Sequence, residues 1–302
     1  MRKFLLWTSL TIVAVVGGIA IFAYVQVRTL HVVRVTDDLS MIEGLGGNVG
    51  VLKTGAGTVI VDTMTFTSQG AHIRQIAEAL TGEPVVLVIN THYHIDHTHG
   101  NPAFAAGTRV VSTGRTLYHL HALDAGYWQD AAAALLPNDT FESQKTLKVG
   151  NKTLQLVHPG TGHTDGDLVV LFVEDHALHA GDLFFNRLYP SVDLEAGGSF
   201  AQWSDSLDAV LPLPFDQVIP GHGKLGGKAD LRLFQLLIRE VAAVGREAAA
   251  RGATLEATLR DAKLTADAGY GAMQIPFVLK LDRDYVVRRS WEEATGHFKR
   301  AD

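Results

Sequence analysis

The chain of 302 residues contains no cysteine. That absence excludes disulfides, a thiolate nucleophile, iron–sulfur clusters and cysteine-ligated zinc together. It does not fix a compartment, because a secreted chain need not carry disulfides. Positive charge is scarce as well: 26 Lys+Arg against 32 Asp+Glu leave a net charge of −6. The electrostatic footprint of a nucleic-acid binder is therefore missing. Phosphate loops are missing too. Gly46-Gly47-Asn48 and Gly55-Ala56-Gly57 are followed by no Gly-Lys-Ser/Thr and read as hairpin turns, and Gly226-Gly227-Lys228 reads as a helix entry. No low-complexity segment, short-period repeat or linker divides the chain. With 47% apolar and 19% charged residues it can build a large core, so it is neither disordered nor fibrous. What is present in quantity is histidine, 14 residues of it.

Arg2 and Lys3 precede an uncharged run from Phe4 to Val27, whose polar members are Thr8, Ser9, Thr11 and Gln26. At 1.5 Å per residue this run spans about 36 Å, enough to cross a hydrocarbon core of ~30 Å with some tilt. The best small-residue exit, Ile21-Phe22-Ala23, is a poor cleavage site. Residues 1–28 are expected to be an uncleaved transmembrane helix that makes the membrane a partner. Arg2, Lys3 and the α-amino group on one side against Arg28 and Arg34 on the other slightly favour an inside N-terminus. The main domain is then extracytoplasmic, on the periplasmic side in a bacterium, or secreted if the segment is cleaved.

Residues 29–302 are expected to form one α/β domain. Val32–Val35, Met41–Ile42, Val49–Lys53 and Thr58–Asp62 read as antiparallel strands joined by glycine turns. Thr67–Leu80 has helical spacing, and Val85–Ile89 is a continuous apolar run, the mark of a strand buried on both faces. The theme then repeats, with strands at Leu154–Val157, Leu168–Val173, Ala177–His179 and Gln217–Ile219 and a helix at Phe200–Leu211. Two such halves with helices outside predict two stacked sheets covered by helices. From about residue 228 a helical extension follows. It comprises an amphipathic helix over Lys228–Arg251 and two shorter helices around Ile275-Pro276-Phe277.

The informative segment is Thr91-His92-Tyr93-His94-Ile95-Asp96-His97, directly after the buried strand. In extended backbone, residues two apart point the same way. His92 and His94 can face one metal, Asp96 continues that face, and His97 points to an adjacent position. Three further segments place a ligand-type residue beside glycine at the end of a β-run. They are Gly160-Thr161-Gly162-His163-Thr164-Asp165-Gly166-Asp167, Ala180-Gly181-Asp182 and Pro220-Gly221-His222-Gly223. Singly each reads as a turn; together they form a constellation.

The motif HxHxDH, the His of GHTDGD, the Asp of AGD and the His of PGHG, in this order, resemble the metallo-β-lactamase superfamily of metal-dependent hydrolases. The resemblance covers about Val32 to Lys224. It implies a four-layer αββα sandwich. It also implies that His92, His94 and His163 hold a first metal, that Asp96, His97 and His222 hold a second, and that Asp182 bridges them. The donors are all N or O, which suits two zinc ions per chain, with iron or manganese as substitutes. A hydroxide shared by two metals would attack the substrate, and Asp96 would carry a proton to the leaving group.

Asp182 stands where the thioesterase, lactonase and phosphodiesterase branches have a bridging Asp, which the well-known zinc β-lactamases lack. His94 stands where the diiron flavoproteins have Glu. The expected substrate is thus a small ester, thioester, lactone or related acyl compound. β-Lactam hydrolysis and a non-hydrolytic iron oxidation, as in a persulfide dioxygenase, remain the alternatives. Asn186 and Tyr189, just after Asp182, are candidates to meet the substrate. His99 reads as a residue behind the ligands, His119 and His121 as solvent-facing helix residues, and Arg283, Arg288 and Arg289 as a solvated helix face.

Overall fold

The computed structural model describes residues 27–275 and 279–298. The predicted membrane span Phe4–Val27 lies outside these residues except for its last position. Among the described residues no helix is long and apolar enough to cross a membrane.

The first half builds a seven-stranded sheet. β1 (His31–Arg34), β2 (Leu39–Glu43), β3 (Val49–Leu52) and β4 (Thr58–Val61) form an antiparallel meander. β5 (Val85–Ile89), β6 (Arg109–Thr113) and β7 (Asp139–Phe141) add to it in parallel. The crossovers between parallel strands carry helices α1 (Thr67–Thr81) and α2 (Gly114–Ala122). The second sheet has six strands in the order β15-β13-β11-β10-β9-β8. These are β8 (Gln144–Val149), β9 (Lys152–Val157), β10 (Val169–Phe172), β11 (Ala177–His179), β13 (Gln217–Ile219) and β15 (Gly226–Gly227). Two-residue strands β12 (Phe185–Asn186) and β14 (His222–Gly223) pair beside it.

Alternation along each strand sets the layers. Val59 and Val61 of β4 face inward with Leu87, Ile89 and Val111, and meet Leu154, Leu156, Val170 and Phe172 of the second sheet. Ile60 and Val88 face outward and pack under Ile73 and Ala77 of α1. Val169, Leu171, Leu178 and Val218 face the opposite side. They are covered by α3 (Phe200–Val210), by α4 (Lys228–Arg251) and by the last helix, which contributes Val286. This is the αββα sandwich.

After α4 come α5 (Leu255–Asp261) and α6 (Arg283–Thr295). The predicted pair of helices is present, but the stretch between them holds the hairpin β16 (Met273–Ile275) and β17 (Leu279–Leu281), with Pro276 and Phe277 outside the described residues. The Arg289 guanidinium is not a solvated group as expected. It pairs with Glu195 at 2.6 Å and Glu292 at 2.8 Å and ties α6 to the body.

Candidate metal centre

Four strands deliver the site. β5 leads into His92 and His94, and β9 into the segment carrying His163. β11 leads to Asp182 and β13 to His222. β9, β11 and β13 run in the same direction, so their ends meet on one rim. The extended backbone expected for the first motif ends at His94. Ile95–Thr98 is one helical turn, which swings Asp96 away from His92 and His94 and toward His222. Asp96 therefore does not continue the face of His92 and His94. Two groups of side chains able to hold a metal ion result: His92, His94, His163 and Asp182, and Asp96, His97 and His222.

The Asp182 carboxylate lies between the groups. Its Oδ2 is 3.4 Å from His163 Nε2 and 3.9 Å from His92 Nε2. Its Oδ1 is 3.2 Å from His97 Nε2 and 3.4 Å from His222 Nε2. Asp96 Oδ2 is 3.2 Å from His222 Nε2. Gly221 makes this approach feasible, because a Cβ there would stand 2.0 Å from Asp182 Oδ1. The hairpin turn of the first half closes the rim. Asn48 N donates to the Gly221 carbonyl, and Asn48 Nδ2 donates to those of Pro220 and Gly223.

The fit to cations follows from where the ring protons go. His163 Nδ1 donates to the Ser191 carbonyl at 2.9 Å, so its Nε2 carries a lone pair. Thr91 Oγ1 gives its proton to Asp62 at 2.7 Å, so His92 Nδ1 donates to Thr91 Oγ1 and leaves His92 Nε2 bare. His94 Nε2 donates to Asp193 at 2.8 Å; burial opposes charge on this ring, but the Asp193 carboxylate outweighs it and raises His94 above the usual imidazole range. Yet His94 Nδ1 stands 2.7 Å from His163 Nε2 and 3.1 Å from His92 Nε2. The bare nitrogens of His92 and His163 converge with His94 Nδ1 at that separation only with positive charge among them, supplied by a proton on His94 or by a cation that displaces it. In the second group His97 Nδ1 donates to Asp62 at 2.7 Å. His97 Nε2 and Asp182 Oδ1 are buried and make no hydrogen bond.

Electrostatics make the same demand. Burial pushes the His92 ring well below its usual range and the His163 ring down to about 4, keeping both neutral. Burial opposes charge on His97 and His222 too. There the carboxylates of Asp182 and Asp96 outweigh it, raising His97 well above the ordinary imidazole and His222 to about 9. Two buried carboxylates, Asp62 and Asp182, and the half-buried Asp96 thus call for positive charge that divalent cations would supply by displacing protons. The residues present fit such cations.

Asn186 and Tyr189 belong to neither group. The Asn186 amide donates to the Lys224 carbonyl, and the Tyr189 hydroxyl donates to Asp267, both at 2.8 Å. His99 stacks on Tyr127 with centroids 3.5 Å apart and pairs with Asp124 at 2.7 Å. His121 is exposed as expected, but His119 is buried against Asp165 at 2.6 Å. Sequence reasoning missed Asp62, Asp193 and His179. Asp62 closes the apolar strand Thr58–Val61, a place where an isolated carboxylate could have been noticed. Asp193 and His179 carry no such signal. His179 is fully buried and donates from Nε2 to the Asn48 carbonyl at 3.2 Å.

The family model described as Metallo-beta-lactamase superfamily matches residues 42–222. The chain is 29% identical over 189 residues to a metallo-beta-lactamase type 2 of Bacillus sp. (strain 170), covering 62% of this chain and 70% of that one. It is 20% identical over 216 residues to a linear primary-alkylsulfatase of Pseudomonas sp. (strain ATCC 19151), covering 58% and 41%. Among solved structures, the metallo-beta-lactamase from Pontibacter korlensis superposes with a TM-score of 0.61 at 20% identity, over 70% of this chain and 99% of the other. A double mutant of the sec-alkyl sulfatase PisA1 reaches 0.70 at 17% identity, over 89% and 51%. The chain belongs to the metallo-beta-lactamase superfamily.

Proposed function

We propose that this chain is a two-metal hydrolase of small acyl substrates: an ester, a thioester or a lactone. The observation that carries this reading is the Asp182 carboxylate, which turns one oxygen to each group of ligands. His92, His94 and His163 would hold one cation, Asp96, His97 and His222 the other, and Asp182 both. Cations bound there, zinc by the all-N/O donor set, would supply Lewis acidity and an acidified water at neutral pH.

The chain's own groups do the rest. Burial opposes the Asp96 charge, but His97 and His222 hold its carboxyl far below the usual range. Asp96 is also the most open of the site carboxylates, with 29% of its side chain exposed. We assign it to carry a proton to the leaving group. Leu45, Phe66 and Ile95 are large exposed apolar residues on segments bordering the second group, which supports an apolar substituent on the substrate.

Relatives named as metallo-beta-lactamases favour a β-lactam as the second reading. Elemental analysis and a panel of ester, thioester, lactone and β-lactam substrates test both. Two zinc ions per chain with turnover of an acyl substrate support the proposal, whereas a single redox-active iron without hydrolysis would refute it. We also propose that residues 1–28 anchor the domain outside the cytoplasm. A C-terminal fusion reporter active only in the cytoplasm would contradict the orientation.

A further inference from the structure

Two of the three histidines of the first group lean on one short segment that follows Asp182. The Ser191 carbonyl accepts from His163 Nδ1 at 2.9 Å, and Asp193 N donates to the His163 carbonyl at 2.9 Å. The Asp193 side chain accepts from His94 Nε2 at 2.8 Å and from the Tyr93 hydroxyl at 2.5 Å, while its other oxygen accepts from Ala196 N at 3.0 Å. Residues 191–193 therefore fix both the orientation and the proton position of His94 and His163.

The segment is itself held by the C-terminal helix α6. The Tyr285 hydroxyl lies 3.2 Å from Ser191 Oγ and 3.5 Å from the Val192 carbonyl oxygen. One turn further, Arg289 pairs with Glu195 at 2.6 Å. Glu293 then accepts from Ser199 Oγ at 2.5 Å and Phe200 N at 2.9 Å, at the start of α3. These three contacts clamp the segment from residue 191 to 200. The family match ends at residue 222, so the clamp is built by residues beyond it. Among the described residues no hydrogen bond or ion pair from α6 reaches the second group, whose His97 is oriented by Asp62 from the first sheet.

We propose that Asp193 and Tyr285 are positioning residues for the first metal site alone, and that α6 is the brace through which the C-terminal extension sets that site's affinity. The proposal rests on the two-cation reading above. Ring orientation and tautomer matter because a bare nitrogen must be aimed at the ion, and outer partners of this kind change affinity by about 10- to 100-fold.

The test titrates zinc into the metal-free full-length chain against a chromophoric chelator. His163→Ala and His222→Ala assign the two binding events. In Asp193→Ala the event lost by His163→Ala weakens by about 10- to 100-fold, and the event lost by His222→Ala stays within about twofold. Tyr285→Phe weakens the same first event by about three- to tenfold, the worth of one neutral hydrogen bond. Asp193→Asn, which keeps an acceptor oxygen, recovers part of the loss. Equal weakening of both events, or wild-type affinities in Tyr285→Phe and Asp193→Ala, overturns the proposal while leaving the two-cation reading intact. A wild-type chain that binds no zinc overturns both. Tyr285→Phe removes a single oxygen and decides the matter alone if circular dichroism shows Asp193→Ala unfolded.

Discussion

Replacing Asp62 by asparagine changes one atom and tests the proton bookkeeping of the site. Asp62 is fully buried and accepts from Thr91 N at 2.8 Å, Thr91 Oγ1 at 2.7 Å and His97 Nδ1 at 2.7 Å. An asparagine can keep its oxygen on Thr91 N, and the Thr91 hydroxyl can rotate to accept. His97 cannot adapt so cheaply. With an amide N–H facing its Nδ1, the ring must move its proton to Nε2, the atom 3.2 Å from Asp182 Oδ1. Losing a hydrogen bond to a charged acceptor costs about 1.5–3 kcal/mol of folding stability. The relocated proton occupies the place of a ligand lone pair, so the second zinc should bind about 10- to 100-fold more weakly, or about 1.4–2.7 kcal/mol. Urea unfolding with a chelator present reads the first quantity, and competitive zinc titration reads the second. If Asp62→Asn binds both zinc ions as tightly as the unaltered chain, the tautomer assignment fails.

Gly221→Ala should be harsher than its one methyl suggests, because the new Cβ would lie 2.0 Å from Asp182 Oδ1 and 2.6 Å from the Gly181 carbonyl carbon. We expect a loss of about 1–3 kcal/mol and fewer than two zinc ions per chain by elemental analysis. Trp203 is fully buried and donates from Nε1 to the Leu183 carbonyl at 3.0 Å; Trp203→Ala should cost about 3–5 kcal/mol and lower Tm by about 6–20 °C in calorimetry. Burial raises the Asp167 carboxyl to about 7 despite its hydrogen bonds from Thr164. A carboxyl raised in the folded state adds stability that is full below its unfolded value near 4 and is lost as pH rises through 7. Asp167→Asn should therefore flatten the pH dependence of the urea midpoint between pH 5 and 8, measured in chelator; an unchanged slope would clear Asp167 of that role.

Much of this molecule could be read from local patterns. Leu87, Val88 and Ile89 are apolar because they sit inside a sheet with helices on one side and a second sheet on the other, although Val86 at the start of the strand is exposed, and helical spacing marks Lys228–Arg251 over its full length. Strands β6 to β8 escaped notice. Gln144–Val149 alternates in burial, but Leu147 is its one fully buried residue and Lys145 shares that face, and Asp139–Phe141 is only three residues long, so neither shows a clear apolar alternation in sequence. Within the site, the HxHxDH spacing made His92, His94, Asp96 and His97 legible, and flanking glycines did so for His163, Asp182 and His222. Their supports were not, since Asp193 meets His94 across 99 positions of chain and no local pattern records such a pairing. His119 shows the same limit: its helix was expected, but Asp165, its partner 46 positions away, is what draws it inside.

The hairpin turn that carries Asn48 reaches the Pro220 carbonyl across 172 positions of sequence, and this bears on the order in which the molecule assembles. A contact so distant in sequence closes only after a large loop entropy has been met, which places it late in folding. We therefore expect the rim to be completed after the two sheets have docked. An ion bound there would hold together groups that the folding transition state has not yet gathered, so it would retard unfolding far more than it would hasten refolding. A cation bound at that rim would act as a latch on lifetime.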